Sequence, residues 1–292
     1  MPCALTHDGY RLHMEEAGQG SPVVFVHEFA GNHLSWEPQL QAFARRHRCI
    51  AYAARGYPPS DVPSDPAAYS QENAVCDIAS VLTAAGVDQA HIVGLSMGGF
   101  AALHFGLAHP ERARSLTIAG AGYGALTPDH AAFRQASLLA AERFEALGSA
   151  GYGPTYAAGA ARVQYQNKDP RGWQAFADAL SRHDAAGAAL TLRGVQAGRP
   201  ALDTLAGPLR GLHVPTLIIA GDEDDHALEP ALFLKRTLPC SGLLVLSKTG
   251  HTLNLEEPEA FNRAVLDFIA MVEAGRWTAR DPRASGEVMK LS

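Results

Sequence analysis

"HIVGLSMGGF", His91 to Phe100, runs from an apolar, β-branched segment straight into a serine fenced by glycines. The apolar part reads as a buried strand and "GGFAALHFGLAHP" as a helix, so Ser96 falls at a strand-to-helix turn. A serine held there takes a sharp, strained backbone that is tolerated only where the neighbours are small, and Gly94 and Gly98 leave that room. The turn lifts Oγ above the carboxyl ends of the strands, which makes Ser96 a candidate nucleophile. Read without its context, G-x-S-x-G is equally a tight turn or a plain helix cap; the flanking strand and helix argue for the nucleophile.

Outward from that stretch the same grammar repeats. "SPVVFVHE", "CIAYAA", "SLTIAG", "PTLIIAG" and "SGLLVLS" are short, nearly continuous apolar runs of strand type. Helical segments separate them: "LSWEPQLQAFARRH", then "SQENAVCDIASVLTAAG" with Ser70 as N-cap and Gly86 as stop, later "EPALFLKRTL" and "EPEAFNRAVLDFIAMVEA". "GYRLHMEEAG" alternates instead and reads as an N-terminal antiparallel hairpin strand. Strands alternating with helices predict an α/β fold with a mostly parallel central sheet and helices on both faces. Residues 123–212 carry no strong strand signal and read as an inserted helical cap. Its punctuation ("GYGPTY", "NKDPRGW") predicts several short helices, "RGWQAFADALSRH" being the amphipathic one. The expected organisation is a core of residues 1–122 and 213–274, a cap of 123–212, and a tail of 275–292 that is frayed or pinned on the surface.

A serine hydroxyl attacks only when a base takes its proton and a carboxylate orients that base. Of the 13 histidines, His251 has the fitting place: "LSKTGHTLNLEEPEAF" puts it directly after the last strand, at the same sheet edge as Ser96. The strand "PTLIIAG" ends in "DEDD", so Asp222, Glu223, Asp224 and Asp225 compete for the acid, in the chain order serine, acid, histidine. One oxyanion donor is the N–H of Met97, the residue after the nucleophile.

Taken together, "GLSMGG", "PTLIIAGDED" and "GHTLNLEEPEAF" resemble the α/β-hydrolase fold family, serine hydrolase branch, from about Ser21 to Ala274. They are similar to segments of esterases, enol-lactonases and carbon-carbon bond hydrolases. The resemblance implies Asp224 as the acid, since the family's G-x-x-D spacing counts three positions from Gly221. It also implies Phe29 as the second oxyanion donor, through the family's H-G-x segment. The Asp nucleophile of the dehalogenase and epoxide hydrolase branches does not stand at position 96. Two residues depart from the family pattern: Glu28 replaces the usual glycine in "HEFAG", and Ala53 stands where D-x-R-G often has Asp. Glu28 is expected to face solvent or pair with Arg55. The alternative puts its carboxylate at the pocket mouth, selecting against anionic substrates or holding a polar group. Ala53 loses a hydrogen-bonding partner, with no consequence for fold or catalysis.

Composition narrows the remaining choices. A chain of 292 residues, 47% of them hydrophobic, can bury one large core. The net charge of -6, without a basic run, argues against a nucleic-acid partner. Cys3, Cys49, Cys76 and Cys240 show no paired spacing, which excludes a disulfide framework and fits a cytoplasmic setting. "MPCALTHDGYRLHMEE" lacks the regions of a signal peptide and no apolar run reaches membrane-spanning length, so no membrane partner is expected. "DEDDH" reads as a catalytic turn rather than a metal site, and "HEFAGNHLS" is no dinucleotide loop; neither metal nor cofactor is expected. The expected partner is a small-molecule substrate, with a homodimer left open. Tyr123, Tyr156, Arg162, Tyr165 and Trp173 are expected among the pocket walls, Arg162 as a bidentate receiver of a substrate carboxylate. The expected activity is hydrolysis of a carboxylic ester of a small, partly apolar molecule through an acyl-enzyme on Ser96. The alternatives are a carbon-carbon bond hydrolase or enol-lactonase of aromatic catabolism and, in another class, a non-catalytic receptor on the same fold.

Overall fold

Apolar runs without alternation become strands when both of their faces are covered, and the computed structural model, which describes residues 3–285, shows how. Along one strand, Val24 and Val26 enter one core while Val23 and Phe25 enter the other. Neighbouring strands divide in the same way, with Ile92, Ile118 and Ile218 on the first side and Val93, Leu95 and Ile219 on the second. Eight strands make the sheet: β1 (Cys3–Leu5), β2 (Arg11–Ala17), β3 (Ser21–Val26), β4 (His47–Tyr52), β5 (Ala90–Leu95), β6 (Ala113–Ala119), β7 (Thr216–Gly221) and β8 (Ser241–Leu246). Their order is β1-β2-β4-β3-β5-β6-β7-β8, antiparallel through β1 and β2 and parallel from β4 to β8. The architecture is the α/β hydrolase fold. β1 carries no signal in the sequence beyond its place ahead of the hairpin strand.

Ahead of the sheet's last three strands lie α1 (Glu37–Phe43), α2 (Gln71–Ala84) and α3 (Met97–Ala108). The stretch "LSWEPQLQAFARRH" forms less helix than its pattern predicts. A 3-10 turn (His33–Trp36) capped by Asn32 comes first, and α1 starts only at Glu37, with Pro38 in its opening turn. Ser70 caps α2 as expected, its Oγ accepting from the Asn73 N–H at 3.0 Å, and Gly86 takes φ 64° beyond the helix end.

Between β6 and β7 the chain is entirely helical: α4 (Thr127–Ala157), α5 (Val163–Lys168), α6 (Pro170–Leu180), α7 (Ala185–Thr191) and α8 (Ala206–Arg210), joined by short irregular turns. α4 consists of two helices that meet at a kink at Gly148, φ 69° and ψ 168°, and the second of them runs through "GYGPTY" with Pro154 inside it. Its Phe144 packs with Phe29, Met97, Phe176 and Leu180 into a third apolar cluster that joins this helical segment to the sheet edge. α9 (Asp225–Thr237), α10 (Leu253–Glu256) and α11 (Pro258–Glu273) complete the fold. Beyond α11, Trp277 is pinned: its ring lies 4.5 Å from that of Phe268 and its Nε1–H donates to the Cys240 carbonyl at 2.9 Å. The rest of the expected tail, 286–292, lies outside the described residues. Among the described residues no helix is long and apolar enough to cross a membrane.

The β5–α3 junction is packed too closely for a side chain at Gly94 or Gly98. A Cβ on Gly98 would lie 2.0 Å from the Val26 carbonyl oxygen, and one on Gly94 2.1 Å from that of Gly98. Gly98→Ala is therefore expected to destabilise the protein by about 2 kcal/mol or more. Gly207→Ala, in α8 with nothing within 4 Å of the added methyl, should leave stability unchanged or raise it by up to about 1 kcal/mol. The urea midpoints of the two variants check this.

Candidate active site

Ser96 sits between β5 and α3 at φ 54°, ψ -115°, a left-handed conformation that costs a side-chain-bearing residue about 1–3 kcal/mol. Its N–H donates to the Ala119 carbonyl at 2.8 Å, and its own carbonyl accepts from the Phe100 N–H at 3.0 Å. The backbone is thus held from both sides while Oγ faces a cavity of about 130 Å³. Asp224 and His251 line the same cavity. His251 Nδ1–H donates to Asp224 Oδ2 at 2.6 Å, and Asp224 is buried at 3% exposure.

The histidine loop is fixed independently of this bond. The Glu256 carboxylate accepts the Gly250 N–H at 2.9 Å, Lys168 pairs with Glu256 at 3.0 Å, and the His251 N–H donates to the Ala161 carbonyl at 2.7 Å. Burial opposes charge on both members of the Asp224 and His251 pair. Their attraction and hydrogen bond outweigh it, so Asp224 is lowered and His251 raised from 6.5. The Glu28 charge adds to the upward pull on His251, and the Arg162 charge opposes it. The other acids of the turn are engaged elsewhere. Asp222 Oδ1 accepts the Thr249 N–H at 3.1 Å, Glu223 meets Gln164 and Lys248, and Asp225 opens α9.

The loop after β3 is organised by a buried histidine. His27 Nδ1–H donates to the Glu28 carbonyl at 2.7 Å and Nε2 accepts the Ala54 N–H at 3.0 Å; burial holds its pKa down at about 3. Tyr57 Oη donates to the Phe29 carbonyl at 2.9 Å, and the Phe29 N–H has no protein acceptor among the described residues. The Met97 N–H opens α3, where it has no intrahelical acceptor.

Several expected residues stand elsewhere or do something else. Glu28 does not face solvent and does not meet Arg55. It is 2% exposed, lines the cavity, and accepts from Arg162 Nη2 at 2.6 Å. Arg55 is instead held by Asp77 and Asp8, at 2.6 and 2.7 Å. Arg162 reaches the cavity, but Glu28 takes the place expected for a substrate carboxylate. The negative charge expected at the pocket mouth is cancelled by the same contact. Tyr123 and Tyr156 line the cavity. Trp173 does not: its Nε1–H donates to the Ala157 carbonyl at 3.2 Å and its ring packs on the third cluster. Tyr165 lines a separate groove with Tyr57 and Phe176.

Sequence reasoning missed Arg199, which lines the cavity between the rings of Phe100 and Phe133, and His226, stacked on Tyr123 at 4.2 Å. "QAGRPAL" holds no pattern that singles Arg199 out. Among the described residues one side-chain group is compact enough to hold a metal ion, His13, Glu15 and His33, with ligand atoms within 4.8 Å of one another. It does not line this cavity.

With this geometry in place, comparison with known proteins is informative. A family model described as alpha/beta hydrolase fold matches residues 21–258. The chain is 30% identical over 284 residues to a 2-hydroxymuconate semialdehyde hydrolase of Pseudomonas putida, covering 91% of this chain and 93% of that one. It is 27% identical over 252 residues to 3-oxoadipate enol-lactonase 1 of Acinetobacter baylyi, covering 86% and 89%. The structure of a thermophilic esterase from Thermogutta terrifontis superposes with a TM-score of 0.81 at 24% identity, covering 92% of this chain and 98% of that one.

The Glu28 and Arg162 pair gives a direct test of its own. Glu28→Gln leaves a guanidinium buried without its counter-charge and is expected to cost about 3 kcal/mol. The double variant Glu28→Gln, Arg162→Met removes both charges and should recover most of that loss. Denaturant midpoints of wild type, both single variants and the double variant check it.

Proposed function

The chain belongs to the alpha/beta hydrolase fold family, and we propose that it is a serine hydrolase cleaving a carboxylic ester of a small molecule through an acyl-enzyme on Ser96. One observation carries this reading: a serine at a strained, glycine-walled turn shares a buried cavity with a histidine hydrogen-bonded to a buried aspartate.

In the proposed reaction Asp224 holds Nδ1 of His251 protonated, leaving Nε2 as the base. Nε2 takes the Ser96 Oγ proton as Oγ attacks the ester carbonyl. The N–H groups of Phe29 and Met97 receive the oxyanion, which develops where no side-chain anion competes because Glu28 is already neutralised by Arg162. The imidazolium then protonates the departing alcohol, and water attacks the acyl-enzyme with the same histidine as base. The helices between β6 and β7 act as a cap. Tyr156 and Arg162 from that segment line the cavity together with Ser96.

A second reading keeps the residues and changes the bond. The 30% identity to a carbon-carbon bond hydrolase and the 27% identity to an enol-lactonase support the same site acting on such substrates. Screening the purified protein on ester, lactone and β-diketone panels separates the two. Rapid release from short p-nitrophenyl esters favours the first, and turnover confined to the β-diketones or lactones favours the second. Binding without turnover would leave only the receptor reading.

In the ester reaction the variants should differ in kcat and in pH profile. Asp224→Asn should lower kcat by about 10⁴, because the histidine loses its tautomer and the imidazolium its counter-charge. Asp222→Asn, which weakens only a bond to the Thr249 N–H, should cost about 1 kcal/mol of stability and leave kcat nearly intact. As His251 must be neutral to act and its pKa is raised, the acid limb of kcat/KM should fall above pH 6.5. In Glu28→Gln, if the fold is kept, that limb should move to lower pH, because the charge that helps to hold the imidazolium is gone. Stopped-assay pH profiles of the three variants and wild type measure both.

A further inference from the structure

The cavity beside Ser96 holds two guanidinium groups, and only one has a counter-ion. Arg162 is paired with Glu28 and Asp224 with His251, which uses both carboxylates that line the cavity. Arg199 is left without one. It is 3% exposed and makes no ion pair among the described residues. Of its five N–H groups, Nη1 donates to Gln196 Oε1 at 2.5 Å, Nη2 donates to the Tyr123 carbonyl, and Nε has no partner. The guanidinium carbon lies 3.7 Å from the centroid of the Phe100 ring and 4.2 Å from that of Phe133. The guanidinium is thus held against two ring faces by cation–π attraction and fixed at its ends by two neutral acceptors, but no carboxylate pairs with it among the described residues.

Arginine stays protonated under such conditions. Burial pulls its pKa down, the neighbouring Tyr156 only partly offsets this, and the group still titrates near 9. A charge buried without a partner is costly, and such a group in a cavity is a candidate for meeting a ligand of opposite charge. A planar guanidinium with free N–H groups suits a carboxylate, which it can meet with two parallel hydrogen bonds.

We propose that Arg199 is the anion-binding residue of this cavity and that the molecule cleaved at Ser96 carries a carboxylate, seated on Arg199 while its reacting carbonyl lies at Ser96. The proposal rests on the serine-hydrolase reading for the bond cleaved, but not for the binding of the anion. Ser96 opens α3 and Arg199 lies in the segment between β6 and β7, and Phe100 links the two. Phe100, one face of the guanidinium clamp, is four residues beyond Ser96, and its N–H is bonded to the Ser96 carbonyl. One wall of the anion site is therefore tied to the nucleophile through α3, while Gln196, Tyr123 and Phe133 hold the guanidinium from the other sides. The substrate class is a half-ester of a short dicarboxylic acid, or an equivalent acyl compound with a second, free carboxylate.

Two measurements on the full chain test this. The first compares kcat/KM for p-nitrophenyl hydrogen succinate and p-nitrophenyl hydrogen glutarate with their neutral isosteres, the 4-methylpentanoate and 5-methylhexanoate esters, in wild type, Arg199→Met and Arg199→Lys. Wild type should prefer the anionic esters. Arg199→Met should lose at least about 30-fold on them with little change on the neutral ones, and Arg199→Lys should recover part of the loss. The second titrates free succinate and glutarate into the same proteins by calorimetry, independent of any turnover. Wild type should bind them and Arg199→Met should not. Melting temperatures guard against misfolding: removal of an unpaired buried charge should leave Arg199→Met as stable as wild type or more so.

Equal losses on anionic and neutral esters, together with a lowered melting temperature, would make Arg199 a structural group and overturn the proposal. So would equal binding of the dicarboxylates by wild type and Arg199→Met, or binding by neither. If wild type hydrolyses none of the four esters yet binds the dicarboxylates through Arg199, the ester-hydrolase reading fails while the anion site stands.

Discussion

The site depends on a separation too small for a methyl group. Where α3 leaves β5, the Val26 carbonyl of the adjacent strand occupies the space that a Cβ on Gly98 would need, and Gly98 in turn crowds Gly94. That approach lets the helix start almost on top of the sheet, and it forces Ser96 into its positive-φ turn. Sheet order then does the rest. β3 and β6 flank β5, so the loop after β3 brings Phe29 beside Ser96, and the Ala119 carbonyl at the end of β6 holds the Ser96 N–H. β7 and β8 follow on the same side and deliver Asp224 and His251 from their ends. A strained residue is held in place by hydrogen bonds that the strain itself does not provide.

Around this frame the cavity is a problem in placing charges where water is scarce. Asp224 and His251 stabilise each other against burial, which leaves the imidazole more basic than usual. Glu28 and Arg162 form a second neutral pair, linking the loop after β3 to the helical segment between β6 and β7. With two pairs closed, the excess positive charge of Arg199 is the feature that a ligand can answer. On the proposed reading the polar groups of this cavity divide into one pair for proton transfer, one pair that joins the loop after β3 to the helical segment, and one cation for recognition.

The legible part of this molecule is the part in which local pattern and tertiary role coincide. Strand runs such as "SPVVFV" and "PTLIIAG" are apolar without alternation because both sheet faces are covered, and the glycines about Ser96 are dictated by contact. Asp224 was separable from Asp222 only through the family spacing; in the structure it is Asp224 that meets His251, while Asp222 caps the Thr249 N–H. The illegible part lies where partners are far apart in sequence. Glu28 and Arg162 are 134 residues apart, so an exposed Glu28 paired with nearby Arg55 was the natural reading, yet Arg55 is fully used by Asp77 and Asp8. Trp173 looked like a pocket wall because it is aromatic and in the helical segment, but an amphipathic helix has two faces and Trp173 takes the packed one. Arg199 has no local signal at all. Its meaning comes only from the tertiary structure, where the carboxylates that share its cavity are paired elsewhere and none pairs with it among the described residues.

The central claim is that Ser96 is a nucleophile activated by His251, and covalent trapping addresses it most directly. Treating the 292-residue chain with a fluorophosphonate and locating the added mass by peptide mapping reports which oxygen attacks. This account predicts a single adduct on the peptide that contains Ser96, formed more slowly in His251→Ala. Labelling at another residue, or none at Ser96 in protein that is folded, would contradict it.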